Sequence, residues 1–208
     1  DYTTRNPHAK KVYDLFINKG EQVVNDHIAF RTFNDPRVNI DVFAQPFVKA
    51  GYKFKGEYTF EKKDLYAKHY ELEQFRNAPR IFISQLILED FSPFLQETIK
   101  KCINQIPEWL LDSEKLVYSG NTWGKPSHEI FQKLREESEY AAWVYVHGYR
   151  ANHFTVSVNE LEKFDTIQAV NAFIKENGFL LNDSAGEVKG KPEQLLEQSS
   201  TKSGIIDV

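Results

Sequence analysis

Two stretches of the 208-residue chain repeat one pattern, and this repeat limits the folds that the chain can adopt. Each stretch begins a strand pattern with a histidine, His27 or His153, and continues into a helix pattern that ends in glycine and an aromatic residue. The interval from histidine to glycine is 24 residues up to Gly51 and 25 residues up to Gly178. A βα unit that occurs twice predicts pseudo-symmetry, with both histidines in one shared cavity. Two imidazoles that meet in this way suit a mononuclear metal site.

Composition favours a soluble globular protein, because 41% of the residues are hydrophobic and can be buried. The net charge of −4 and the scattered Lys and Arg residues give no reason to expect nucleic-acid binding. No apolar run approaches the roughly 20 residues of a membrane span, and no signal-peptide pattern is present. The single cysteine, Cys102, cannot form an internal disulfide. We therefore expect a cytoplasmic protein with no nucleic-acid partner and no membrane partner.

Hydrophobic periodicity predicts an α+β fold. Before residue 91 it predicts an N-terminal helix from about Pro7 to Gly20 and then a β-α-β-β-β unit. The predicted strands and helix of this unit are His27–Phe33, a helix over about 38–50 that contains Pro46, and strands at 52–60, 65–72 and 80–88. Residues from about 92 to 140 are charged and show helical spacing. They predict a helical connection.

The pattern then begins again, with a predicted strand over 151–158 and a helix over 166–177. We therefore predict a single catalytic domain over 1–208, with a first βαβββ unit at 21–90, a helical connection at 91–148 and a second unit at 149–208. The chain contains no methionine and supplies no fourth strand for the second unit. We expect that unit to be incomplete at its C-terminal end.

The candidate metal ligands are His27 and His153, which occupy matching positions in the two units. Two imidazoles suit iron, zinc, copper or nickel, and a third carboxylate ligand would favour non-haem Fe(II). The other four histidines have weaker claims. His69 could line the cavity or cap a sheet edge, and we expect exposed positions for His8, His128 and His147.

Arg31 shares a strand face with His27, and its planar guanidinium is a common partner for a substrate carboxylate. An ion pair with an acidic side chain is an equally good interpretation from the sequence alone. Gln198, Ser200 and Lys202 share one face of an unusually polar strand pattern. That face either contacts a substrate in a polar pocket or faces water.

Five segments together resemble the 2-oxoadipate dioxygenase/decarboxylase family. They are Asn25–Phe33, Ala67–Tyr70, Ala78–Ser84, Asn152–Ser157 and Leu196–Lys202. The resemblance covers nearly the whole chain, and the segments occur in the family's order. It implies a vicinal-oxygen-chelate-like fold, in which paired βαβββ units form a curved mixed sheet around a metal cavity.

The resemblance also implies a site and a reaction. Fe(II) would be held by His27, His153 and a glutamate that we expect beyond Val208, although zinc or nickel could replace iron in a purified sample. Arg31 would bind substrate, and oxygen attack would convert 2-oxoadipate and O₂ to 2-hydroxyglutarate and CO₂, a step of lysine catabolism. Since metal binding needs neutral imidazoles, activity should fall at acidic pH.

Two other functions remain open from the residues. The same fold could hold a metal-dependent lyase, isomerase or hydrolase that acts on another 2-oxo acid. It could also be a metal-free module that binds a small anion through Arg31. Metal analysis and oxygen consumption would separate these functions, while the sequence leaves the oligomeric state open.

Overall fold

The computed structural model describes residues 2–75, 77–184, 186–190 and 197–204. The chain divides into two compact units. The sheet unit comprises residues 27–154, and the terminal unit comprises residues 1–26 together with 155–207.

The described residues form an α+β fold, as the sequence predicts. The strands are β1 (His27–Phe33), β2 (Lys53–Phe60), β3 (Leu65–Glu71) and β4 (Arg80–Leu86). The α-helices are α1 (Tyr2–Arg5), α2 (Pro7–Asn18), α3 (Ile40–Lys49), α4 (Pro93–Asn104), α5 (Glu108–Leu111), α6 (His128–Glu137), α7 (Glu139–His147) and α8 (Ile167–Glu176). Short 3₁₀ turns occupy Glu61–Lys63, Leu88–Asp90, Glu114–Tyr118 and Val158–Glu160.

The sheet unit contains one mixed sheet with the strand order β1-β4-β3-β2. β1 runs parallel to β4, and the other neighbours are antiparallel. This confirms the predicted β-α-β-β-β order. In the register, Ala29 lies beside Phe82, which lies beside His69. Because alternate residues of a strand share a face, His27 and Arg31 lie on the same side of β1.

The opposite face of the sheet forms the core of this unit. Phe30, Ile81 and Ile83 are buried there in a cluster that includes Phe43 of α3 and Leu95 of α4. The helical spacing of apolar residues in α3 and α4 explains this packing, because each helix presents one apolar stripe to the sheet. The site-bearing face of β1 is therefore held by a close-packed layer behind it.

Serine caps define the helices that follow the sheet. The Ser138 side chain accepts a hydrogen bond from the Ala141 backbone N–H at 3.2 Å and begins α7 directly after α6. At the other end, α7 stops at Gly148, whose φ is +65°. A Cβ atom at this position would lie 2.1 Å from the Gly120 carbonyl oxygen, so only glycine fits.

The terminal unit is built around α2 and α8. Phe16, Val170 and Ile174 are buried in its own apolar cluster. The predicted helices at 7–20 and 166–177 are confirmed, with Thr166 as the N-terminal cap of α8. Glu21 is 5% exposed, and its carboxylate accepts hydrogen bonds from the backbone N–H groups of Glu162 and Lys163 at 2.8 and 2.7 Å.

The predicted strand at 151–158 is wrong. This segment is extended, but it has one isolated bridge at Ala151 and then a 3₁₀ turn. The alternation of apolar and polar residues in this segment reflects its half-burial. A strand also requires a continuous hydrogen-bonded partner, and here the only bridge among the described residues is at Ala151. The predicted division into two βαβββ units stays a prediction. Across the described ranges, no helix is both long enough and apolar enough to cross a membrane.

Candidate metal centre and its anion anchor

His27 and His153 meet at the free edge of β1. The Ala151 backbone bridges to Phe30 of β1, and the Asn152 N–H donates to the Ala29 carbonyl at 3.0 Å. This pairing places His153 beside the first residue of β1. The two Nε2 atoms are 2.8 Å apart, and the two rings are inclined at 83°. The structure thus brings together the two histidines that the repeat singles out.

This separation suits two ligands of one ion. Imidazole nitrogens bind a divalent metal at about 2.1 Å, so two of them on adjacent octahedral positions lie about 3.0 Å apart. On a tetrahedral ion they would lie about 3.4 Å apart. The observed 2.8 Å is close to these separations. It is also the length of a hydrogen bond between two neutral imidazoles, so the pair is satisfied internally without an ion.

Electrostatics keep His153 neutral. Burial, followed by the nearby His27 and Arg31, lowers the pKa of His153 to about 4. At neutral pH this imidazole therefore retains the nitrogen lone pair that a metal requires. Among the described residues, no group of three or more His, Cys, Asp or Glu side chains is arranged to hold an ion. The structure therefore shows two of the three predicted ligands together and leaves the glutamate as a prediction.

Arg31 lies near two aromatic rings and forms no ion pair among the described residues. Its guanidinium carbon, Cζ, is 5.0 Å from the ring centroid of Tyr140 and 5.0 Å from that of Trp143. Within the described part of the chain, it has no hydrogen bond and no salt bridge. Burial lowers the pKa of the Arg31 guanidinium, and Tyr140 and Glu139 only partly oppose that shift. The ion-pair interpretation of Arg31 is therefore not supported, and an unpartnered cation faces the same side of β1 as His27.

Sequence reasoning missed the helix face that contacts Arg31. Tyr140, Trp143 and His147 follow one another at i, i+3 and i+7 on α7, which places them on one side of the helix. That spacing was the available signal. The His147 ring lies 4.8 Å from Trp143, and the Arg150 Cζ lies 5.8 Å from the same indole. The expected exposure of His147 is wrong: it is half-buried, and burial followed by Arg150 and Arg31 lowers its pKa to about 4.

The remaining histidines lie apart from this pair. His69 stacks on Phe82 at 5.2 Å, and its Nδ1 is 3.1 Å from the Tyr58 hydroxyl. Phe82 in turn contacts the His27 ring at 5.6 Å, so His69 lies on the site face behind one intervening ring. His128 is exposed as expected, whereas His8 is half-buried.

The polar face of Gln198, Ser200 and Lys202 belongs to the terminal unit. All three residues are exposed, while Ser199 and Thr201 between them are half-buried, which confirms the predicted alternation. The Gln198 backbone pairs with Lys189 in both directions, and the Lys202 ammonium lies 3.6 Å from Asp183. The role of these residues in substrate binding stays a prediction.

Comparison with known proteins agrees with this geometry. The sequence profile of 2-oxoadipate dioxygenase/decarboxylase matches residues 2–208. The chain belongs to the 2-oxoadipate dioxygenase/decarboxylase family. Two curated relatives with that name, from Oryza sativa subsp. japonica and Arabidopsis thaliana, are 37% and 35% identical over 96% and 99% of this chain. The chain spans 58% and 59% of their lengths, and their names place them in plastids.

Two solved structures superpose closely on this chain. A protein from Shewanella frigidimarina NCIMB 400 with a provisional hydrolase name is 48% identical, with a TM-score of 0.90 over 96% of this chain and 78% of its own. The hydroxyglutarate synthase from Oryza sativa, solved in complex with 2-oxoadipate, is 37% identical, with a TM-score of 0.87 over 96% of this chain and 68% of its own. The family identification predicted from the five segments is therefore confirmed.

A more distant structure identifies the fold. A glyoxalase-superfamily protein from Ralstonia eutropha JMP134 is 19% identical, with a TM-score of 0.76 over 98% of this chain and 70% of its own. This likeness and the mixed four-stranded sheet confirm the predicted α+β, vicinal-oxygen-chelate-like fold, whereas the pairing of two βαβββ units stays a prediction.

Proposed function

We propose that this protein holds Fe(II) through His27 and His153 and converts 2-oxoadipate and O₂ to 2-hydroxyglutarate and CO₂. The observation that carries the proposal is the 2.8 Å separation of the two Nε2 atoms, which would allow both to hold one divalent ion. Family membership supports the reaction, as does the bound 2-oxoadipate of the rice relative. The reaction needs no external reductant, because the oxo acid itself supplies the electrons that reduce O₂.

An iron ion at this position would supply Lewis acidity toward the 2-oxo acid and redox chemistry with O₂. The chain's own residues prepare the site for it. His153 remains neutral because burial lowers its pKa, and the close-packed sheet fixes the position of His27. A glutamate completes the ligand set in the proposal, as the family resemblance implies.

Arg31 would bind the carboxylate at the far end of the substrate. It lies four residues after His27 on the same face of β1, which separates the two Cα atoms by about 13 Å. Side chains that converge from these positions leave a span that suits a short acid with a carboxylate at each end. A guanidinium with no internal acceptor is available to form paired hydrogen bonds with such a carboxylate. Gln198, Ser200 and Lys202 remain candidate substrate contacts.

Two measurements on the same sample test the proposal. Elemental analysis should find iron, and oxygen uptake should be fastest with 2-oxoadipate in a panel that includes 2-oxoglutarate and 2-oxohexanoate. The product should be 2-hydroxyglutarate, identified by mass spectrometry, with one CO₂ released for each O₂ consumed. Zinc or nickel in place of iron in the purified protein should bind at the same histidines but support no oxygen uptake.

Other outcomes would identify the alternatives. An iron-loaded protein that consumes no O₂ with any 2-oxo acid would contradict the dioxygenase and favour a lyase, isomerase or hydrolase. A protein that binds 2-oxoadipate equally well with and without metal would favour a small-anion binding module. A place in lysine catabolism depends on oxygen uptake with 2-oxoadipate as the preferred substrate.

A further inference from the structure

The contacts of Arg31 are unusual for a half-buried arginine. A structural arginine is normally satisfied by carboxylates or backbone carbonyls, because its five N–H donors are costly to bury without acceptors. Arg31 has no such acceptor among the described residues, yet its Cζ lies 5.0 Å from each of two aromatic rings. We infer that Tyr140 and Trp143, here called the aromatic bracket, position the Arg31 guanidinium for the distal carboxylate of a dicarboxylic substrate. This inference rests on the proposed function.

The geometry of a guanidinium explains why rings suit this task. All five N–H groups lie in the plane of the guanidinium, whereas an aromatic ring contacts its face. Cation–π contacts therefore fix the plane without using any donor. An acidic partner would fix the arginine equally well, but it would occupy the donors that the substrate needs. The bracket leaves the in-plane donors available.

Tyr140 is itself firmly held. The Thr32 backbone N–H donates to its hydroxyl at 3.0 Å, and the hydroxyl donates to the Ser84 carbonyl at 2.7 Å. The Ser84 hydroxyl lies 3.0 Å from the same oxygen. These contacts tie one ring of the bracket to β1 and β4 at the residues beside Arg31. Any shift of the ring would break hydrogen bonds to both strands.

Trp143 forms the other part of the bracket, three residues further along α7. His147 packs against its indole at 4.8 Å and supports it from the next turn of the helix. Because burial lowers the pKa of His147 to about 4, this neighbour is uncharged at neutral pH and does not repel the guanidinium. The helix thus supplies an aromatic surface beside Arg31, and Glu139 of the same helix only partly opposes the effect of burial on the pKa of Arg31. The Arg150 guanidinium carbon lies 5.8 Å from the Trp143 ring centroid.

The test compares two substrates that differ only at the distal end. Iron-loaded protein is titrated under nitrogen, by calorimetry, with 2-oxoadipate and with 2-oxohexanoate, which lacks the distal carboxylate. Trp143→Leu should weaken 2-oxoadipate binding about 5- to 30-fold, the effect of losing one desolvated cation–π contact. Binding of 2-oxohexanoate should change less than about twofold. Oxygen uptake should show the same increase in KM for 2-oxoadipate, with kcat little changed.

Conservative variants separate positioning from packing. Trp143→Phe retains a π face and should recover most of the lost affinity, although phenylalanine is a weaker partner for a cation than tryptophan. Tyr140→Phe retains the ring but loses its hydrogen bonds to β1 and β4. It should weaken 2-oxoadipate binding by less than Tyr140→Leu does, and 2-oxohexanoate binding should be unaffected in both.

Two other tryptophans provide matched controls. Trp109 is 69% exposed, and Trp109→Leu should change neither affinity nor stability. Trp123 is buried and donates from its indole to the Tyr145 carbonyl at 2.8 Å, so Trp123→Leu should lower stability while leaving the ratio of the two affinities unchanged.

The possible failures are distinguishable. If the wild type neither binds nor oxidises 2-oxoadipate, the proposed function is wrong. If it does both, and Arg31→Lys weakens 2-oxoadipate binding but Trp143→Leu does not, the bracket is refuted. Equal weakening of both substrates by Trp143→Leu would also overturn it, because a loss of general packing has no preference for the distal carboxylate.

Discussion

Replacing Arg31 with methionine should make the protein more stable. The wild-type side chain is half-buried, its guanidinium has no hydrogen-bond acceptor among the described residues, and burial lowers its pKa. A charged group that is partly desolvated in this way costs up to about 3 kcal/mol. Two cation–π contacts recover about 2 kcal/mol of that cost. Methionine removes the charge and can retain a sulfur–aromatic contact of about 1 kcal/mol.

The expected net effect is an increase of about 1–2 kcal/mol in the free energy of unfolding. For a chain of this length, that corresponds to a rise of about 2–8 °C in the unfolding midpoint. The measurement is urea and thermal unfolding of the metal-free protein, so that iron binding does not contribute. The same variant should lose most of its affinity for 2-oxoadipate, because the distal carboxylate would then face a thioether.

Arg37 offers a control with the opposite sign. Its guanidinium donates to Asp35 at 2.9 and 2.7 Å, and this hydrogen bonding raises the pKa of Arg37 and lowers that of Asp35. Arg37→Met should therefore destabilise the protein by about 1 kcal/mol. If Arg31→Met also lowers the unfolding midpoint, the reasoning fails, because Arg31 would then be a structural residue like Arg37.

Three further predictions concern the metal ligands and the backbone. His27→Ala and His153→Ala should each abolish iron retention and oxygen uptake, measured by elemental analysis and with an oxygen electrode. Variant His128→Ala, at an exposed histidine, should retain both. Equal iron content in all three variants would refute the ligand assignment. His153 and His147 should each remove up to about 3 kcal/mol of stability from the metal-free protein as pH falls from about 6.5 to about 4, because the unfolded chain takes up a proton at each of these histidines that the folded state resists. Urea midpoints measured across that range would show no slope if the reasoning is wrong. Gly148→Ala should cost more than about 3 kcal/mol, since its Cβ would overlap a backbone carbonyl. Gly124 also has a positive φ, but no atom lies within 4 Å of an added Cβ, so Gly124→Ala should cost about 1 kcal/mol. Equal losses of stability in the two variants would contradict the steric argument.

Sequence patterns predicted the parts of the fold that depend on neighbouring residues, such as turns and helix ends. β1 was predicted at His27–Phe33, where the structure has it, because a run rich in strand-forming residues ends at a proline-containing turn. Helix α3 was predicted to begin within two residues of its observed start, despite Pro46. Gly51 was the signal for its end, and in the structure Asn39 caps its beginning. The strand predicted at 151–158 failed because pairing depends on the partner, and β1 offers one bridge only at Ala151.

The candidate site shows the same division. The repeated histidine pattern predicted that His27 and His153 meet, and the structure brings them together across 126 residues through the pairing of Ala151 and Asn152 with β1. No comparable rule connects Arg31 with Tyr140. Helix α7 carries apolar residues on every side, so the spacing of Tyr140, Trp143 and His147 marked one aromatic face but did not indicate that this face contacts Arg31. That contact results from tertiary packing, which a single sequence does not encode in any local pattern.

The two parts of the site differ in how they are stabilised without ligands. The histidine pair satisfies itself, since one Nε2 can donate to the other across 2.8 Å. Arg31 has no such substitute among the described residues, so in the absence of an anion the cost of its partial burial is offset by the ring contacts of Tyr140 and Trp143 and, in part, by the nearby Glu139. A carboxylate that binds there removes an existing penalty as well as forming new hydrogen bonds. The selectivity of the site for a dicarboxylic acid should therefore depend more on Arg31 than on the metal ligands.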